Sequence, residues 1–360
     1  MIHSFHIKNY RGFKDFTIEP FDRVNLITGS NNAGKTSLLE ALYLNLTPGS
    51  AFISNLDDNK QENPTWLNLF RGFRGVSSRL NNVSKWGWLF YGKDLTKDIE
   101  LKSSDDNGED QTLKMYWLIA DRNGGIPIPE DFLTDDLWSI FLSVHYKNFY
   151  GKDYSWRINR NGHGDFPAPQ HVLNSVPLRL LFDIPSRSPE EDTRWFSKLD
   201  DEGRQGELLS TLQLIEPRLK SLAVSVADSV PMIYGDIGLK RRIPLALMGE
   251  GMVRLLTLIL EITNASGGVV LVDEIEAGLH HSVLVNVWRA IADATRRAGT
   301  QIFATTHSWE CISAAHEAFL ETDDYAFRLH RLDRVGGNIE AITYDKRTLE
   351  TSVEMNLEVR

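Results

Sequence analysis

The chain has 360 residues, of which 42% are hydrophobic and 10% aromatic, and its formal net charge is -10. This composition excludes a disordered chain and leaves room for one large α/β domain with an inserted lobe, or for two domains. The negative charge means that any nucleic-acid contact must come from a local basic surface. The single cysteine, Cys311, excludes an internal disulfide framework and a cysteine-based zinc site, and we expect a buried thiol there.

Hydropathy sets the expected compartment. No apolar stretch approaches the roughly 20 residues that are needed to cross a bilayer. The N-terminal segment has neither an apolar signal core nor a small-residue cleavage site. We therefore expect no membrane partner and a cytoplasmic location.

The first predicted elements are strands. Residues 1–10 alternate apolar and polar side chains, which is typical of a half-buried strand, and a second strand near Phe13 to Ile18 would complete a hairpin. The apolar run from Val24 to Ile27 predicts a buried strand, and Ser37 to Leu46 is compatible with a helix.

The segment between that strand and that helix reads GSNNAGKT and matches GxxxxGK[ST]. In this context the backbone N–H groups of the loop and the helix N-terminus can bind the phosphates of a nucleotide. Lys35 would reach the β- and γ-phosphates, and the Thr36 hydroxyl would ligate magnesium. The predicted nucleotide contacts are Gly29, Ser30, Asn31, Asn32, Ala33, Gly34, Lys35, Thr36 and Ser37.

The middle of the chain carries less specific patterns. Thr47 to Asn63 is rich in turn-forming residues and indicates a boundary, and leucines between Glu190 and Ala223 recur at spacings of four and three, which predicts one or two amphipathic helices. Basic residues form two candidate patches, each of which is either an ordinary solvated face or a nucleic-acid contact. They are Arg71, Arg74, Arg79 and Lys85, interleaved with Trp66, Phe70, Phe73, Trp86 and Trp88, and then Lys240, Arg241 and Arg242.

The C-terminal third predicts a βαβ unit. Met252 to Ile262 reads as a buried helix, Val269 to Val272 as a strand covered on both faces, Leu279 to Arg297 as a helix, and Gln301 to Thr305 as the next buried strand. The order of strand, helix and strand indicates an α/β fold with parallel pairing.

Two strand ends carry the candidate catalytic groups. Asp273 and Glu274 follow the first of these strands, which is a Walker B pattern at the edge where open α/β sheets bind ligands. Asp273 would hold magnesium, and Glu274 would act as general base toward the attacking water. His307 follows the neighbouring strand, from which its imidazole can reach a γ-phosphate.

A second anion site is predicted at the start of the buried helix, at Gly249, Glu250 and Gly251, the last of which lies 22 residues before Asp273. Two glycines at a helix N-terminus leave backbone N–H groups accessible to an anion. Since the phosphate loop already binds the nucleotide of its own subunit, this second site would serve the nucleotide of another subunit. The pattern therefore predicts a homodimer or a higher oligomer.

Several segments resemble the ABC-type ATPase heads of the RecF, SMC and OLD (overcoming lysogenisation defect) group, and the OLD-like branch most strongly. The similarity covers roughly residues 1–50 and 240–315 and rests on NYRGF, GSNNAGKTSLLEAL, LMGEGMVRLL, VDEIEAGLHHS and FATTHS. By this resemblance Gly249 to Gly251 is the signature loop, Gly278 to His280 the D-loop, and His307 the switch histidine. Arg11 matches a position that in such heads often reaches toward the phosphates.

The resemblance also implies the fold and the domains. We expect an α/β, ABC-type P-loop NTPase head with a mixed sheet, an N-terminal β-hairpin and an inserted, mainly helical lobe. Residues 1–50 and 240–360 would form the ATPase core. Residues 51–239 would form the lobe, which would combine the remaining sheet strands with a helical region that contacts a partner or nucleic acid.

Three departures from the family pattern limit the functions that the resemblance implies. The signature reads LMGEG where transporters have a serine after the leucine, so coupling to transport is unsupported, and Gln61, Gln111 and Gln170 offer no convincing glutamine loop. OLD proteins commonly carry a TOPRIM nuclease of about a hundred residues, and the stretch from His316 to Arg360 is too short and its acids too scattered for one. We expect the nuclease to be missing.

The leading functional hypothesis is an ATPase that binds ATP and Mg²⁺, dimerises around ATP and controls a separately encoded effector, such as a nuclease or toxin, in prokaryotic antiviral defence. The alternative is a RecF- or SMC-like DNA-binding ATPase of repair or recombination. A third hypothesis is a scaffold that binds ATP and hydrolyses it negligibly. A GTPase lacks support because no NKxD-type motif occurs in a suitable place. His280 and His281 are adjacent and would point to different sides of a helix start, which favours an interface over a metal site.

Overall fold

The structure is a computed structural model that describes residues 1–46, 87–119, 126–127, 140–159, 164–165, 177–181, 189–227, 230–355 and 359. The chain forms two compact units. Unit 1 comprises Met1–Phe21, Ser30–Val176 and Leu332–Thr343, and unit 2 comprises Asp22–Gly29, Pro177–Arg331 and Tyr344–Arg360. These units differ from the predicted core and inserted lobe, and that division by function remains a prediction.

Unit 1 is built on an eight-stranded sheet that begins with the predicted N-terminal hairpin. Strands β1 (Ile2–Tyr10) and β2 (Phe13–Ile18) pair antiparallel, with Ile7 opposite Phe16. The sheet order is β2-β1-β4-β5-β7-β8-β9, with β6 paired to β5. The other strands are β4 (Ile99–Asp105), β5 (Asp110–Ile119), β6 (Ile126–Pro127), β7 (Ile140–Lys147), β8 (Asp153–Asn159) and β9 (Gly164–Asp165).

Helix α1 (Lys35–Leu46) is fastened to this sheet by a buried polar network. The Asn45 side-chain amide donates to the carbonyl of Leu101 at 2.9 Å, and the Ser103 hydroxyl donates to Asn45 Oδ1 at 2.7 Å. Gln111 donates to the Asn45 carbonyl at 2.7 Å. Gln111, one of three glutamines considered for a glutamine loop, therefore holds the end of α1, whereas Gln61 and Gln170 lie outside the described residues.

Unit 2 contains the parallel strands predicted from the sequence. Strands β10 (Leu178–Leu181), β14 (Val269–Val272), β15 (Gln301–Thr305) and β3 (Val24–Gly29) pair parallel in that order, with Val270 opposite Ile302. Strands β14, β15 and β3 are buried along their whole length, as expected of strands covered on both faces. Next to β3 lies β16 (Phe327–Val335), which enters unit 1 at Leu332 and pairs there with β17 (Asn338–Tyr344).

Helices pack around these strands, and a small sheet accompanies them. The α-helices of unit 2 are α2 (Pro189–Asp201), α3 (Gln205–Leu212), α4 (Glu250–Asn264), α5 (Leu284–Ala298), α6 (Trp309–Leu320) and α7 (Lys346–Glu354). The three-stranded sheet has the order β11 (Ser221–Ala227), β12 (Val230–Asp236) and β13 (Ile243–Pro244). Short 3-10 helices span Tyr91–Lys93 in unit 1, and Leu245–Leu247 and His281–Val283 in unit 2.

The described part of residues 51–239 contains more strand than helix, and the expectation of a mainly helical lobe stays a prediction. One expectation about this part of the chain needs correction. The leucine stripe ends with α3, and Leu222 lies in β11. Leu222, Val224 and Val226 alternate with small residues, and this period of two with β-branched side chains favours a strand.

The remaining outcomes concern Cys311, the bilayer and the boundary loop. Cys311 is buried, and burial raises the pKa of its thiol to about 12. In the part of the chain that the structure describes, no helix is long and apolar enough to cross a bilayer. The predicted boundary at Thr47 to Asn63 and the basic residues Arg71, Arg74, Arg79 and Lys85 lie outside the described residues.

Candidate nucleotide site

The phosphate loop, or Walker A loop, joins β3 to α1 and is shaped by its backbone. Gly34 and Asn32 have positive φ angles of 103° and 63°, and the Ala33 N–H donates to the Ser30 carbonyl at 3.1 Å. Lys35 is 6% exposed, and its Nζ donates to the same carbonyl at 3.0 Å. The ammonium group of Lys35 therefore lies against the loop that the sequence predicts to bind phosphates.

Gly34 is required by close packing as well as by its backbone angle. A Cβ atom at this position would lie 3.0 Å from Ile339 Cδ1 and 3.0 Å from Phe13 Cζ. Phe13 begins β2 and Ile339 lies on β17, so the β1–β2 hairpin and the β16–β17 hairpin both pack close to the loop. The contact from β17 was not predicted, because the C-terminal segment carried no motif.

Arg11 is held in an ion pair. It has a positive φ of 49°, and its guanidinium lies 2.9 Å from the carboxylate of Glu40, which is buried on α1. The pair fixes the β1–β2 turn to the helix that follows the Walker A loop. The predicted role of Arg11 toward the phosphates stays a prediction, and its guanidinium already neutralises one carboxylate.

The second group of predicted residues lies in unit 2, where Asp273 follows β14 and is 3% exposed. The hydroxyl of Thr305, at the end of β15, donates to Asp273 Oδ1 at 2.6 Å and accepts the Glu274 backbone N–H at 2.8 Å. One buried hydroxyl therefore orients both members of the Walker B pair. The sequence offered only a weak signal for this role, namely a threonine at the end of the strand expected beside β14.

Glu274 adopts a positive φ of 50°, a conformation that is uncommon for a residue of this type. Arg254 of α4 stabilises it by donating to three consecutive carbonyls, those of Asp273 at 3.2 Å, Glu274, and Ile275 at 3.3 Å. Burial lowers the pKa of Arg254, and the nearby carboxylates, that of Glu276 first, act in the opposite direction. Sequence reasoning missed Arg254, because a single arginine within an apolar helix has no motif of its own.

His307 follows β15 with one residue, Thr306, between, and β15 is the strand next to β14, as predicted. Its imidazole is exposed, and its backbone N–H donates to Glu276 Oε1 at 2.9 Å. Ser308 caps α6 by accepting the Cys311 N–H at 3.1 Å. These two contacts fix the backbone at His307 and Ser308. The position of the histidine after β15 is therefore well defined.

The predicted signature loop precedes α4, with Gly249 as the N-cap at a φ of 112°. No described atom lies within 4 Å of where a Gly249 Cβ would be. Gly278 of the predicted D-loop is close-packed, since its Cβ would approach the Glu250 carboxyl to 2.8 Å. The signature loop and the D-loop therefore touch within unit 2, and Gly249 faces open space.

The two histidines after Gly278 differ from expectation. Their rings lie side by side, with centroids 4.1 Å apart, although adjacent residues were expected to point to different sides. Nδ1 of His280 accepts the Ser282 N–H at 3.3 Å, and this cap turns the His280 ring toward its neighbour. Among the described residues, no group of three or more histidine, cysteine or acidic side chains is placed to hold a metal ion.

Comparison with known proteins places this arrangement in a family. Residues 24–313 match the family model described as "AAA domain, putative AbiEii toxin, Type IV TA system". The chain belongs to this AAA family. The match runs from the start of β3 into α6 and so contains the Walker A loop, the signature loop, the Walker B pair and His307.

Curated relatives support the same assignment. This AAA chain is 24% identical over 347 residues to an "ATP/GTP phosphatase" of Helicobacter pylori, with 90% of each chain covered. A 43-residue segment is 44% identical to the DNA replication and repair protein RecF of Idiomarina loihiensis, over 12% of each chain. The whole-length similarity is therefore to the phosphatase, and the RecF similarity is local.

Solved structures confirm the fold. An Smc head bound to the C-winged helix domain of ScpA matches with a TM-score of 0.52 and 14% identity, over 98% of this chain and 99% of that chain. An Smc head with an extended coiled coil, bound to the C-terminal domain of ScpA derived from Pyrococcus furiosus, has a TM-score of 0.52 and 12% identity over 99% and 98%. The predicted ABC-type P-loop fold is confirmed, and the AAA chain is an ATPase.

Proposed function

We propose that this AAA chain is a nucleotide-operated switch that dimerises around ATP and controls a separately encoded effector. The observation that carries the proposal is the open position of Gly249 at the start of α4. Within unit 2 the predicted second anion site is accessible, and a nucleotide of another subunit is the ligand that its family pattern implies. ATP binding would close such a dimer, and hydrolysis would open it.

The motif residues divide the chemistry between nucleotide binding and hydrolysis. Lys35 would bind the β- and γ-phosphates, His307 would contact the γ-phosphate, and Glu274 would accept a proton from the attacking water. Thr36 and Asp273 supply a hydroxyl and a carboxylate, the oxygen ligands that magnesium prefers. When bound, the ion would neutralise charge on the phosphates. Thr305 orients Asp273, so that the chain itself positions one of these oxygens before any ligand arrives.

A Glu274→Gln variant tests the switch. The amide retains the shape of the side chain but cannot accept a proton, so ATP should bind while hydrolysis stops. Mass measurement should then show a dimer that persists with ATP and is absent without nucleotide. Turnover at the wild-type rate would refute the assignment of the base, and a monomer with ATP bound would refute the dimer.

Mixed dimers test whether the signature loop acts on the other subunit's nucleotide. A Lys35→Ala chain paired with a chain that carries a bulky residue at Gly249 leaves one composite site with both wild-type elements intact. We expect about half of the wild-type turnover in the mixed dimer and almost none in either parent. Lack of rescue in confirmed mixed dimers would contradict the composite geometry.

The biological role that we propose is prokaryotic antiviral defence. The family description names a toxin of a toxin–antitoxin system, and the OLD-like motifs point in the same direction. Co-expression with neighbouring genes should yield a complex whose activity responds to Lys35→Ala or Glu274→Gln. Efficient magnesium-dependent DNA cleavage by the purified single chain would contradict the need for an effector.

One observation favours the second candidate, a DNA-binding ATPase. The β12–β13 hairpin loop exposes Lys240, Arg241 and Arg242 beside Leu239, which is 59% exposed, and Lys220 lies near Gly238 of the same loop. None of these four cations forms an ion pair with a described residue. A two-stranded ribbon with unpaired cations fits a DNA groove, and its phosphate contacts make affinity fall with salt.

Salt dependence distinguishes this candidate from the switch without DNA. Four phosphate contacts predict a slope of about -3.6 for the logarithm of duplex affinity against the logarithm of salt concentration. Charge reversal at Lys240, Arg241 and Arg242 should remove most of that slope. Reversal of Arg296, which is already paired with Asp293 at 2.9 Å, is the control. Absence of salt-dependent duplex binding would leave the effector switch alone.

A further inference from the structure

A second cation lies against the Walker A loop, on the hairpin formed by β16 and β17. The Nε of Arg334 donates to the carbonyl of Asn32 at 3.2 Å. Its Nη2 lies 3.3 Å from where a Cβ at Gly12 would be, so the absence of a side chain at Gly12 makes room for the guanidinium. Arg334 therefore lies between the loop and the β1–β2 turn, within unit 1.

The packing and the turn of the β16–β17 hairpin determine where Arg334 lies. On the same hairpin Ile339 is buried, and its Cδ1 would touch a Cβ at either Gly34 or Gly12. The turn that joins the two strands consists of Gly336 and Gly337, both with positive φ. A tight turn with φ > 0 at both central residues holds the hairpin strands in register, and this places Arg334 at a fixed distance from the loop.

Arg334 and Arg11 differ in the charge partners of their guanidinium groups. Arg11 is paired with the buried Glu40, so its charge is compensated within the protein. Arg334 is exposed, forms no ion pair with any described residue, and keeps the donors of both Nη atoms after its bond to Asn32. An unpaired guanidinium fork binds phosphate oxygens through charge-assisted hydrogen bonds.

We infer that Arg334 binds the phosphate chain of the nucleotide in the Walker A loop and is the second cation of that site beside Lys35. The inference rests on the proposed function, which places the nucleotide in this loop. Lys35 would act from the buried side, at the start of α1, and Arg334 from the exposed side, next to Asn32. The residue lies outside every motif that the sequence shows, about 300 positions from the loop that it serves.

The test measures the dissociation constants of Mg-ATP and of inorganic tripolyphosphate for the full chain and its variants. Arg334→Gln should weaken both ligands about tenfold, because it removes one charge-assisted contact. Arg334→Lys should recover part of the loss, since the charge remains. Lys14→Gln is the matched control: Lys14 is an exposed cation of the same unit without an ion pair to a described residue, and its loss should change neither constant.

Three outcomes overturn the inference. Unchanged affinity in Arg334→Gln removes the contact altogether, and a loss for ATP with none for tripolyphosphate moves it to the sugar or base. An Arg334→Lys variant as weak as Arg334→Gln shows that Arg334 only holds the Asn32 carbonyl. A parallel Lys35→Ala measurement distinguishes failure of the Arg334 inference from failure of the proposed function. If Lys35→Ala also binds ATP normally, the nucleotide site itself is wrongly placed, and the proposed function fails.

Discussion

The Walker A loop and the Asp273–Glu276 turn depend to different degrees on side chains from other elements. Each contains a residue other than glycine with a left-handed backbone, Asn32 with a φ of 63° and Glu274 with a φ of 50°. Asparagine adopts this conformation more readily than glutamate does. The Asn32 segment depends on the positive φ of Gly34 and accepts one hydrogen bond from Arg334, whereas the Glu274 segment is held by both Thr305 and Arg254 from other elements.

This difference separates the expected effects of substitution. The loop presents backbone and one ammonium group, so damage there should first reduce nucleotide binding. The turn presents two carboxylates whose orientation depends on distant side chains, so damage to those side chains should reduce turnover and leave binding largely intact. The contrast fails if Thr305 variants lose ATP affinity as severely as Lys35 variants do.

The largest expected effect tests the loop. Lys35→Ala should weaken ATP binding more than a hundredfold, because the β- and γ-phosphate charge is then left without its buried counter-ion, a loss of about 3 kcal/mol. Isothermal titration with Mg-ATP measures this constant. Lys152→Ala, at an exposed lysine of the same unit, is the control and should bind ATP normally. Comparable affinities in the two variants would contradict the assignment of the loop.

The next effect tests the turn through the Thr305 hydroxyl that orients it. Thr305→Val preserves shape but removes the donor to Asp273 and the acceptor for the Glu274 N–H. We expect kcat to fall about thirtyfold, equivalent to about 2 kcal/mol of transition-state stabilisation, while the dissociation constant of ATP changes little. Single-turnover hydrolysis and equilibrium titration on the same preparation give both quantities.

A matched threonine controls for the loss of a buried hydrogen bond. Thr300 immediately precedes β15 and donates to the carbonyls of Ile262 at 2.9 Å and Ala265 at 3.1 Å. Thr300→Val should lower the melting temperature about as much as Thr305→Val, since both hydroxyls are buried and bonded. If both variants lose kcat equally, the Thr305 effect is one of general stability and not of the turn.

A smaller effect tests the signature loop. Its conformation depends on the backbone angle of a glycine, and the loop is exposed. Gly249 and Gly267 have positive φ angles of 112° and 70°, and neither has a described atom within 4 Å of a would-be Cβ. Alanine at either site should cost about 1 kcal/mol of stability from backbone strain. Only Gly249→Ala should also lower kcat, by about tenfold, with ATP affinity retained. Equal kcat values for the two variants would contradict a role for the signature loop in hydrolysis.

The same contrast explains what could be predicted from the sequence. The Walker A loop is contiguous, and its glycines and lysine follow from phosphate chemistry, so its shape could be predicted without a structure. Strands β14 and β15 could be predicted as well, because continuous apolar runs favour buried parallel strands. Site roles for Lys35, Asp273, Glu274 and His307 stay predictions, which the variants above would test.

The features that could not be predicted depend on contacts between distant segments. Arg254 and Thr305 act on backbone atoms about 20 and 30 residues away, and hydrogen bonds of that kind leave no spacing pattern. Arg334 reaches the loop from β16, on the hairpin whose Ile339 packs against Gly34. The role of Arg11 toward the phosphates stays a prediction, and its ion pair with Glu40 of α1 could not be predicted, because the motif gives no spacing between the two residues.

The smallest expected effect concerns β3, the strand that leads into the loop. Its neighbour β16 carries His330, which is fully buried, with Nε2 at 3.4 Å from the side-chain oxygen of Asn25 on β3. Burial, with a smaller contribution from the charge of Arg328, lowers the pKa of His330 to about 3. The histidine is thus neutral in the folded protein, whereas in the unfolded chain it titrates near its ordinary value of about 6.5.

Stability should therefore fall as the solution is acidified. Above about pH 6.5 neither state binds the proton, and below it the unfolded chain gains a proton that the folded chain refuses until about pH 3. Between pH 7 and pH 5.5 this linkage should remove about 1 kcal/mol of unfolding free energy. His330→Gln should lack this share of the acid sensitivity, and denaturant unfolding at the two pH values measures it.

Hydrogen exchange should place the wild-type loss in β3 and β16 rather than in β14, so that acid weakens the strand of the Walker A loop before the strand of the Walker B pair. Equal acid sensitivity in His330→Gln and wild type would show that other groups dominate, and uniform exchange across the strands would show that the two halves of the site do not differ in this respect.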